Sequence, residues 1–389
     1  MANTSTSELI RAMRQVDKRQ ISVAEKSELV SAAQDLILEV ERPWDTILRI
    51  GWSQPSLPAT LCTLIDLKLF ERWVASDDEV QSASDLGEMV DCDPDLMTRL
   101  LQNLVSHQLL GNPGPDSYSL TDFTRSLADP DQSAAFPFIY EVKSPTYASL
   151  PRYLKNEGYR NPIGKSPAAC AFTLGTKFDG TLFDYFAQNP DVNERFGRCM
   201  KGFAGNLVSW VDQYPTEKLL DGLDQVIVVD VGGSTGHDLN AFQRKHRLAP
   251  ARLILQDLPE VVAKANVEDG IQLMAHDFFT PQPIKGARVY YLHSVLHDWP
   301  DHKAREILQM LKPAMIKGKS KILIHEHVLW PQNNTPLATW SDLLMLGLMN
   351  GCERTIGMWK DVIEPVGLVI SEVYTSVSSP HSILELKLI

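Results

Sequence analysis

The sequence predicts an α/β protein: a mostly parallel sheet with an antiparallel edge in the C-terminal part, preceded by an all-helical and winged-helix region. Three observations carry this. From Gln225 onward short apolar runs alternate with helical segments. A glycine-rich loop directly follows the first of those runs, and the first 127 residues instead read as helices ending in a hairpin. Strands buried on both faces read as continuous apolar runs, which is the pattern of a parallel sheet covered by helices.

Residues 1–60 hold two amphipathic stretches, "SELIRAMRQV" and "VAEKSELVSAAQDLILEVERPWDTILRI", with apolar positions three and four apart. Residues 61–127 follow as "LCTLIDLKLFERWV", "SDLGEMV" and "DPDLMTRLLQNLVSHQLL" with a turn at "GNPGPDSYSLT". Asp93 is placed to cap the third helix and Pro94 to open it. Three helices and a hairpin make a winged helix, a fold often used on DNA. From Ser84 to Gly111, however, Asp85, Glu88, Asp91, Asp93 and Asp95 face Arg99 alone. Phosphate would be repelled there, and the formal charge of −12 extends the argument to nucleic acid and anionic lipid in general.

Residues 128–222 read as a helical bridge in which Phe183, Phe186, Phe196, Met200 and Phe203 recur at helical spacing. Such a stripe serves core packing or an acceptor pocket. Residues 223–389 carry the apolar runs "QVIVVDV", "RLILQD", "IQLMAHDF", "ARVYYLH" and "KILIHEHV", then two terminal strands joined by a short turn. The five cysteines form no C-x-x-C pair, so neither a disulfide framework nor a zinc ribbon is expected. The N-terminus lacks an apolar stretch and no run approaches the ~20 residues of a membrane span, so a cytoplasmic protein is expected.

In "VVDVGGSTGHDL", Gly232, Gly233 and Gly236 lie between a strand and a helix, where a ligand can approach the backbone. Val231 breaks the dinucleotide fingerprint and no Walker lysine is present. Asp230 at the loop mouth suits a cationic ligand without phosphates. Asp257, in "LQDLPEVV" with Leu258, stands where a carboxylate holds ribose hydroxyls. Asp277 and Phe278 offer an acceptor and a flat surface for adenine.

Together "DVGGSTGHDL", "QDLPEVV", "HDFF", "LHDWPD", "HEHV" and "GCERT" resemble the S-adenosylmethionine-dependent class I O-methyltransferases of fungal type. Those join a winged-helix domain to a Rossmann-like catalytic domain, and the resemblance spans essentially the whole chain. It implies S-adenosyl-L-methionine as cofactor, held by Asp230, Gly232, Gly233, Gly236, Asp257, Leu258, Asp277, Phe278, His293 and Trp299. It also implies a homodimer joined through the N-terminal helices.

His293 and His297 stand four apart in "YYLHSVLHDWPD". The segment follows a strand directly and lacks the glutamate of H-E-x-x-H, so this pair is not expected to bind a metal. His297 suits a general base, because deprotonating a phenol or enol near neutral pH calls for an acceptor with a pKa near 7. Glu326 and Glu353 are candidates to orient it, and all three match the family's catalytic positions. At position 293 the family usually carries lysine or arginine, so the histidine departs from the pattern. Cofactor contact, substrate contact and spacer all stay open.

The same resemblance includes leporin-type pericyclases, which keep the cofactor and act on polyketide-derived quinone methides without transferring its methyl group. Basic side chains hold the substrate carbonyl there, and Arg198 and Lys201 are the candidates here. The intact set of His297, Glu326 and Glu353 favours methyl transfer. Phe183, Phe196 and Met200 would then line a pocket for a hydroxylated aromatic or heterocyclic metabolite. A non-catalytic cofactor-binding interaction protein is a third reading, against which the complete base set argues.

Overall fold

The computed structural model describes residues 5–17, 21–77, 79–206, 208–220, 226–248, 250, 252–332, 334, 336–376 and 379–389. The expected boundary between residues 222 and 223 lies outside the described residues.

The chain divides into two compact units, Met1–Pro55 and Ser56–Ile389. In the first, the helices Thr6–Arg14 and Val23–Val40 each open on a capping box, Ser5 with Glu8 and Ser22 with Glu25. Leu9, Ile10, Met13, Leu29, Val30, Ile37, Leu38, Trp44 and Trp52 are exposed on this unit.

The second unit begins with the expected winged helix. The helix Pro94–Ser106 is capped by the Asp93 side chain, which accepts from the Leu96 N–H at 2.9 Å. Strands β1 (Val80–Gln81), β2 (Gly111–Gly114) and β3 (Ser117–Ser119) form a small antiparallel sheet in the order β1-β3-β2. "LCTLIDLKLFERWV" is two helices, Ser56–Asp66 and Leu69–Ala75, because the chain turns at Lys68 with φ of 57°. The turn lets Leu61, Leu64, Phe70 and Trp73 share one core with Leu86, Met97 and Leu101.

Eight strands form the large sheet. Seven run in the order β10 (Leu368–Tyr374), β11 (His381–Leu388), β8 (Lys321–Leu329), β7 (Val289–His293), β4 (Val228–Val231), β5 (Leu253–Asp257) and β6 (Ile271–Ala275), and β9 (Arg354–Thr355) pairs beside the end of β8. Strands β4, β5, β6, β7 and β8 are parallel. The final hairpin of β10 and β11 supplies the antiparallel edge, with β11 inserted between β8 and β10.

The strand period of two sends alternate side chains to opposite layers. Val229, Tyr290, Leu292, Ile322 and Ile324 pack in one layer with Ile307 and Trp359. Val228, Val289, Tyr291, Leu323 and Ile383 pack in the other with Trp210 and Phe242. Trp210 stacks on Phe242 at 5.3 Å and on Tyr291 at 4.6 Å, so the packing of this sheet begins at Trp210. A third cluster joins Phe138, Phe172, Phe186 and Cys199 to Leu344 and Leu348 of the helix Pro336–Met349. All five cysteines are free. Among the described residues no helix is long and apolar enough to cross a membrane.

Candidate active site

The loops that leave the carboxyl ends of β4, β5, β6 and β7 gather the residues the sequence singles out, as open α/β sheets do for ligands. Gly232 and Gly236 have φ of +74° and +89°, which glycine adopts without strain. A Cβ on Gly232 would lie 3.0 Å from Val295 and 3.7 Å from Phe278, which places those side chains at the loop. On Gly233 it would lie 2.4 Å from the carboxyl carbon of Asp230 and from Leu255, so this glycine is required by the loop's own packing.

Asp230 is 1% exposed, and neither carboxylate oxygen has a hydrogen-bond partner. Burial, with the nearby charge of Asp238, pushes its pKa well above the ordinary carboxylate range. An unpaired buried carboxylate is costly and is a natural seat for a cationic ligand. Asp257 accepts from the N–H of Ser234 at 2.8 Å and of Leu258 at 2.7 Å, tying β5 to the glycine loop. Asp277 accepts from the Phe279 N–H at 2.9 Å, and Phe278 and Phe279 both meet Trp299 edge-on. A carboxylate oxygen keeps a second lone pair, so these bonds leave acceptor capacity for hydroxyl or amino donors. The cationic, ribose and aromatic requirements of S-adenosylmethionine therefore fit Asp230, Asp257 and the Phe278–Trp299 wall.

His297 sits on the turn Leu296–Asp298 after β7. Its Nδ1 lies 3.3 Å from Glu353 Oε1 and 3.8 Å from Glu326 Oε2, and its Nε2 lies 3.5 Å from Asp298 Oδ1. Glu326 also accepts from the N–H groups of Val295 at 3.0 Å and Leu296 at 2.8 Å, so the carboxylate fixes the turn that carries the imidazole. Glu353 accepts from the Ser341 hydroxyl at 2.7 Å. Burial disfavours the imidazolium, but Glu326, Asp298 and Glu353 outweigh it, and the pKa of His297 stands well above the ordinary histidine range.

Two residues of this site escape sequence reasoning. Arg354, 2% exposed, donates to the carbonyls of Leu296 at 2.8 Å and Trp299 at 2.6 Å and to Asp301 at 3.0 Å, bracing the His297 turn. The signal was its place beside Glu353 in "GCERT". Ser341 gave no signal, since it stands in an ordinary helical run.

His293 is not part of this group. Its Nδ1 lies 2.7 Å from Asp238 Oδ2 and its Nε2 3.2 Å from His381 Nδ1. The two histidines spaced four apart thus enter separate clusters. Nor does the structure gather all the nominated substrate residues. Phe196 stacks on Phe186 at 4.7 Å within the bridge core, whereas Phe183 is 57% exposed and Met200 37% exposed. Arg198 pairs with Glu194 and lines a cavity of about 570 Å³ with Cys62, Glu71 and Glu141, while Lys201 pairs with Asp131. Both cations sit on accessible helix faces with carboxylate partners of their own.

Residues 165–369 match the O-methyltransferase domain, and residues 55–129 match the O-methyltransferase dimerisation domain. The chain is 34% identical to the O-methyltransferase mfmE of Annulohypoxylon moriforme, over 94% of this chain and 91% of that protein. It is 36% identical to the demethylsterigmatocystin 6-O-methyltransferase of Aspergillus parasiticus, over 86% of each. Among solved structures, one described as a pericyclic reaction enzyme superposes with a TM-score of 0.89 at 27% identity, over 99% of both chains. OxaC in complex with SAH and oxaline superposes at 0.82 over 98% of both, a likeness of fold at 22% identity.

Proposed function

Because this chain belongs to the O-methyltransferase family, whose cofactor is S-adenosylmethionine, we propose that it methylates a hydroxyl of a flat aromatic or heterocyclic secondary metabolite with His297 as general base. The observation that carries this is the imidazole of His297 held between carboxylates, its Nδ1 turned to Glu353 and Glu326. That arrangement stabilises the imidazolium and raises the pKa of His297 above the value near 7 that the sequence reading called for. Nε2 therefore accepts the substrate proton only in the neutral form, which fills as pH rises toward that raised value, with Nδ1–H held by the carboxylates. When bound, the cofactor supplies an electrophilic methyl on a sulfonium. The chain's part is to hold the acceptor hydroxyl at Nε2, accept its proton there and exclude water. Burial works against the Glu353 carboxylate, but His297 first and Ser341 to a lesser degree hold its pKa below the ordinary value, so it balances the imidazolium charge. Trp340 and Met345, partly buried on the helix that also carries Ser341, offer apolar surface to a flat acceptor. The homodimer is assigned to the N-terminal helices on the strength of their exposed apolar side chains.

A pericyclase reading is favoured by one observation, the likeness to the pericyclic reaction enzyme over 99% of both chains. Turnover with methyl-labelled S-adenosylmethionine and a panel of phenols, hydroxypyridones and their alcohol precursors separates the two. Labelled product with one S-adenosylhomocysteine per turnover is expected. Dehydrated or isomerised product with the cofactor unconsumed would replace methyl transfer by pericyclic catalysis. His297→Ala should lower the methylation rate by ~10²–10⁴-fold while sparing cofactor binding; an undiminished rate would remove His297 from the base role.

A further inference from the structure

Four histidines that the proposed reaction does not use converge on one side of the sheet. His293 on β7 faces His325 on β8 in parallel register, and His381 on β11 faces His327 on β8 in antiparallel register. Strand alternation sends all four to the layer of Tyr291, Leu323 and Ile383, opposite Glu326. Asp238, 6% exposed, reaches the cluster from the helix His237–His246 on the same layer.

We propose that His293, His325 and His381 bind a zinc-class divalent transition metal ion, with Asp238 and Tyr291 as outer partners. One ring nitrogen from each of the three histidines falls within 4.8 Å of the others. His293 Nε2 and His381 Nδ1 are 3.2 Å apart, close to the ~3.3 Å between two nitrogens of a tetrahedral site with Zn–N near 2.0–2.1 Å. Asp238 holds His293 by Nδ1 at 2.7 Å, which fixes the tautomer and turns Nε2 toward His381. Tyr291 holds His325 by Nδ1 at 2.7 Å, and His325 Nε2 is buried without a partner. A carboxylate or hydroxyl on the outer nitrogen of each ligating imidazole is the recurrent support of histidine metal sites. The donors are all imidazole, which selects zinc, cobalt, nickel or copper over magnesium or calcium.

One feature of the geometry sets a requirement. The His293 and His325 rings stack at 4.1 Å with 24° between their planes, so joint coordination needs one imidazole to turn. His325 Nε2 has no protein bond to give up, but the turn must carry or exchange the ring's Nδ1 bond to Tyr291. This site is distinct from the His293–His297 pair that the sequence excludes as ligands, because the fold joins His293 to histidines 32 and 88 residues away rather than to its near neighbour.

The test uses the full-length chain, stripped with chelator and titrated with cobalt(II) and then zinc(II), with no cofactor or acceptor present. Its readout, metal content and cobalt visible absorption, is independent of methyl transfer. About one equivalent per chain with the absorption of a four-coordinate site is expected. His381→Gln and His325→Gln should each retain under about a tenth of that, and Asp238→Asn should weaken affinity by about 10–100-fold. His302→Ala, at an exposed position outside the cluster, should bind as wild type. Circular dichroism checks that each variant folds, and with two ligand variants one misfolded protein leaves the test standing. Wild-type binding below a tenth of an equivalent would overturn the proposal, leaving a shared proton between His293 and His381. Full binding by a folded His381→Gln or His325→Gln variant, or equal loss in His302→Ala, would overturn it too.

Discussion

At His297, burial pushes the imidazole toward its neutral form while Glu326, Asp298 and Glu353 pull it toward the charged form, and the carboxylates win. The folded pKa lies above the unfolded value near 6.5, so the stability this group contributes is fully present below about pH 6.5. It is lost as pH rises through the folded value. Glu326 exerts the largest of the raising effects, and a glutamine carbonyl could still accept from the N–H groups of Val295 and Leu296. NMR titration of the cofactor-free chain should therefore place His297 above the ordinary histidine range, and Glu326→Gln should bring it down. An unchanged titration in that variant would mean Glu326 only positions the turn. Arg354 offers a second case. Its guanidinium satisfies two backbone carbonyls of the His297 turn and pairs with Asp301, and hydrogen bonds to charged groups are each worth roughly 1.5–3 kcal/mol. Arg354→Met should cost about 3 kcal/mol in urea unfolding and lower methyl transfer with little effect on cofactor affinity. A loss under about 0.5 kcal/mol would show that the turn holds itself.

Elements were legible where local chemistry decides them. The parallel strands read directly from their apolar runs, and the Asp93–Pro94 start of its helix from capping chemistry. The break at Lys68 was not, because a lysine in the left-handed region is set by tertiary packing rather than by propensity. The proposed base set was readable as motif positions, since His297 follows a strand, Glu326 lies within the "HEHV" run of another and Glu353 lies in "GCERT". The histidine cluster was not, although its parity along β7, β8 and β11 is written in the sequence; sequence order hides that β11 inserts beside β8. Glycine shows the same divide. The loop motif shows Gly233 as room for a ligand and hides a packing need, since a Cβ there would strike Asp230 and Leu255. Gly233→Ala should thus weaken S-adenosylmethionine binding at least about tenfold by isothermal titration and destabilise the fold by roughly 1–3 kcal/mol. Gly351→Ala, whose Cβ meets nothing nearer than 3.6 Å, should leave both nearly unchanged. Equal behaviour of the two variants would refute the packing argument.

For the molecule as a whole, the unit Met1–Pro55 poses a question of burial. Its helices Thr6–Arg14 and Pro43–Leu48 have no buried residue, and Ile37, Leu38, Trp44 and Trp52 stand 44%, 60%, 60% and 72% exposed. An amphipathic helix is stable in water when its apolar face is covered, and an apolar surface this extended marks an association site. The family's dimerisation domain, matched at residues 55–129, begins where this unit ends, so the expected occupant is a second copy of the chain. Sedimentation at about ten micromolar should then report roughly twice the 43.6 kDa chain mass. Leu38→Glu with Trp44→Glu should shift the protein toward monomer, because two buried carboxylates without partners cost more than the interface can repay. Monomers that retain cofactor binding would separate assembly from cofactor binding. A wild-type chain sedimenting as monomer, or a double variant still fully dimeric, would take the N-terminal helices out of the interface.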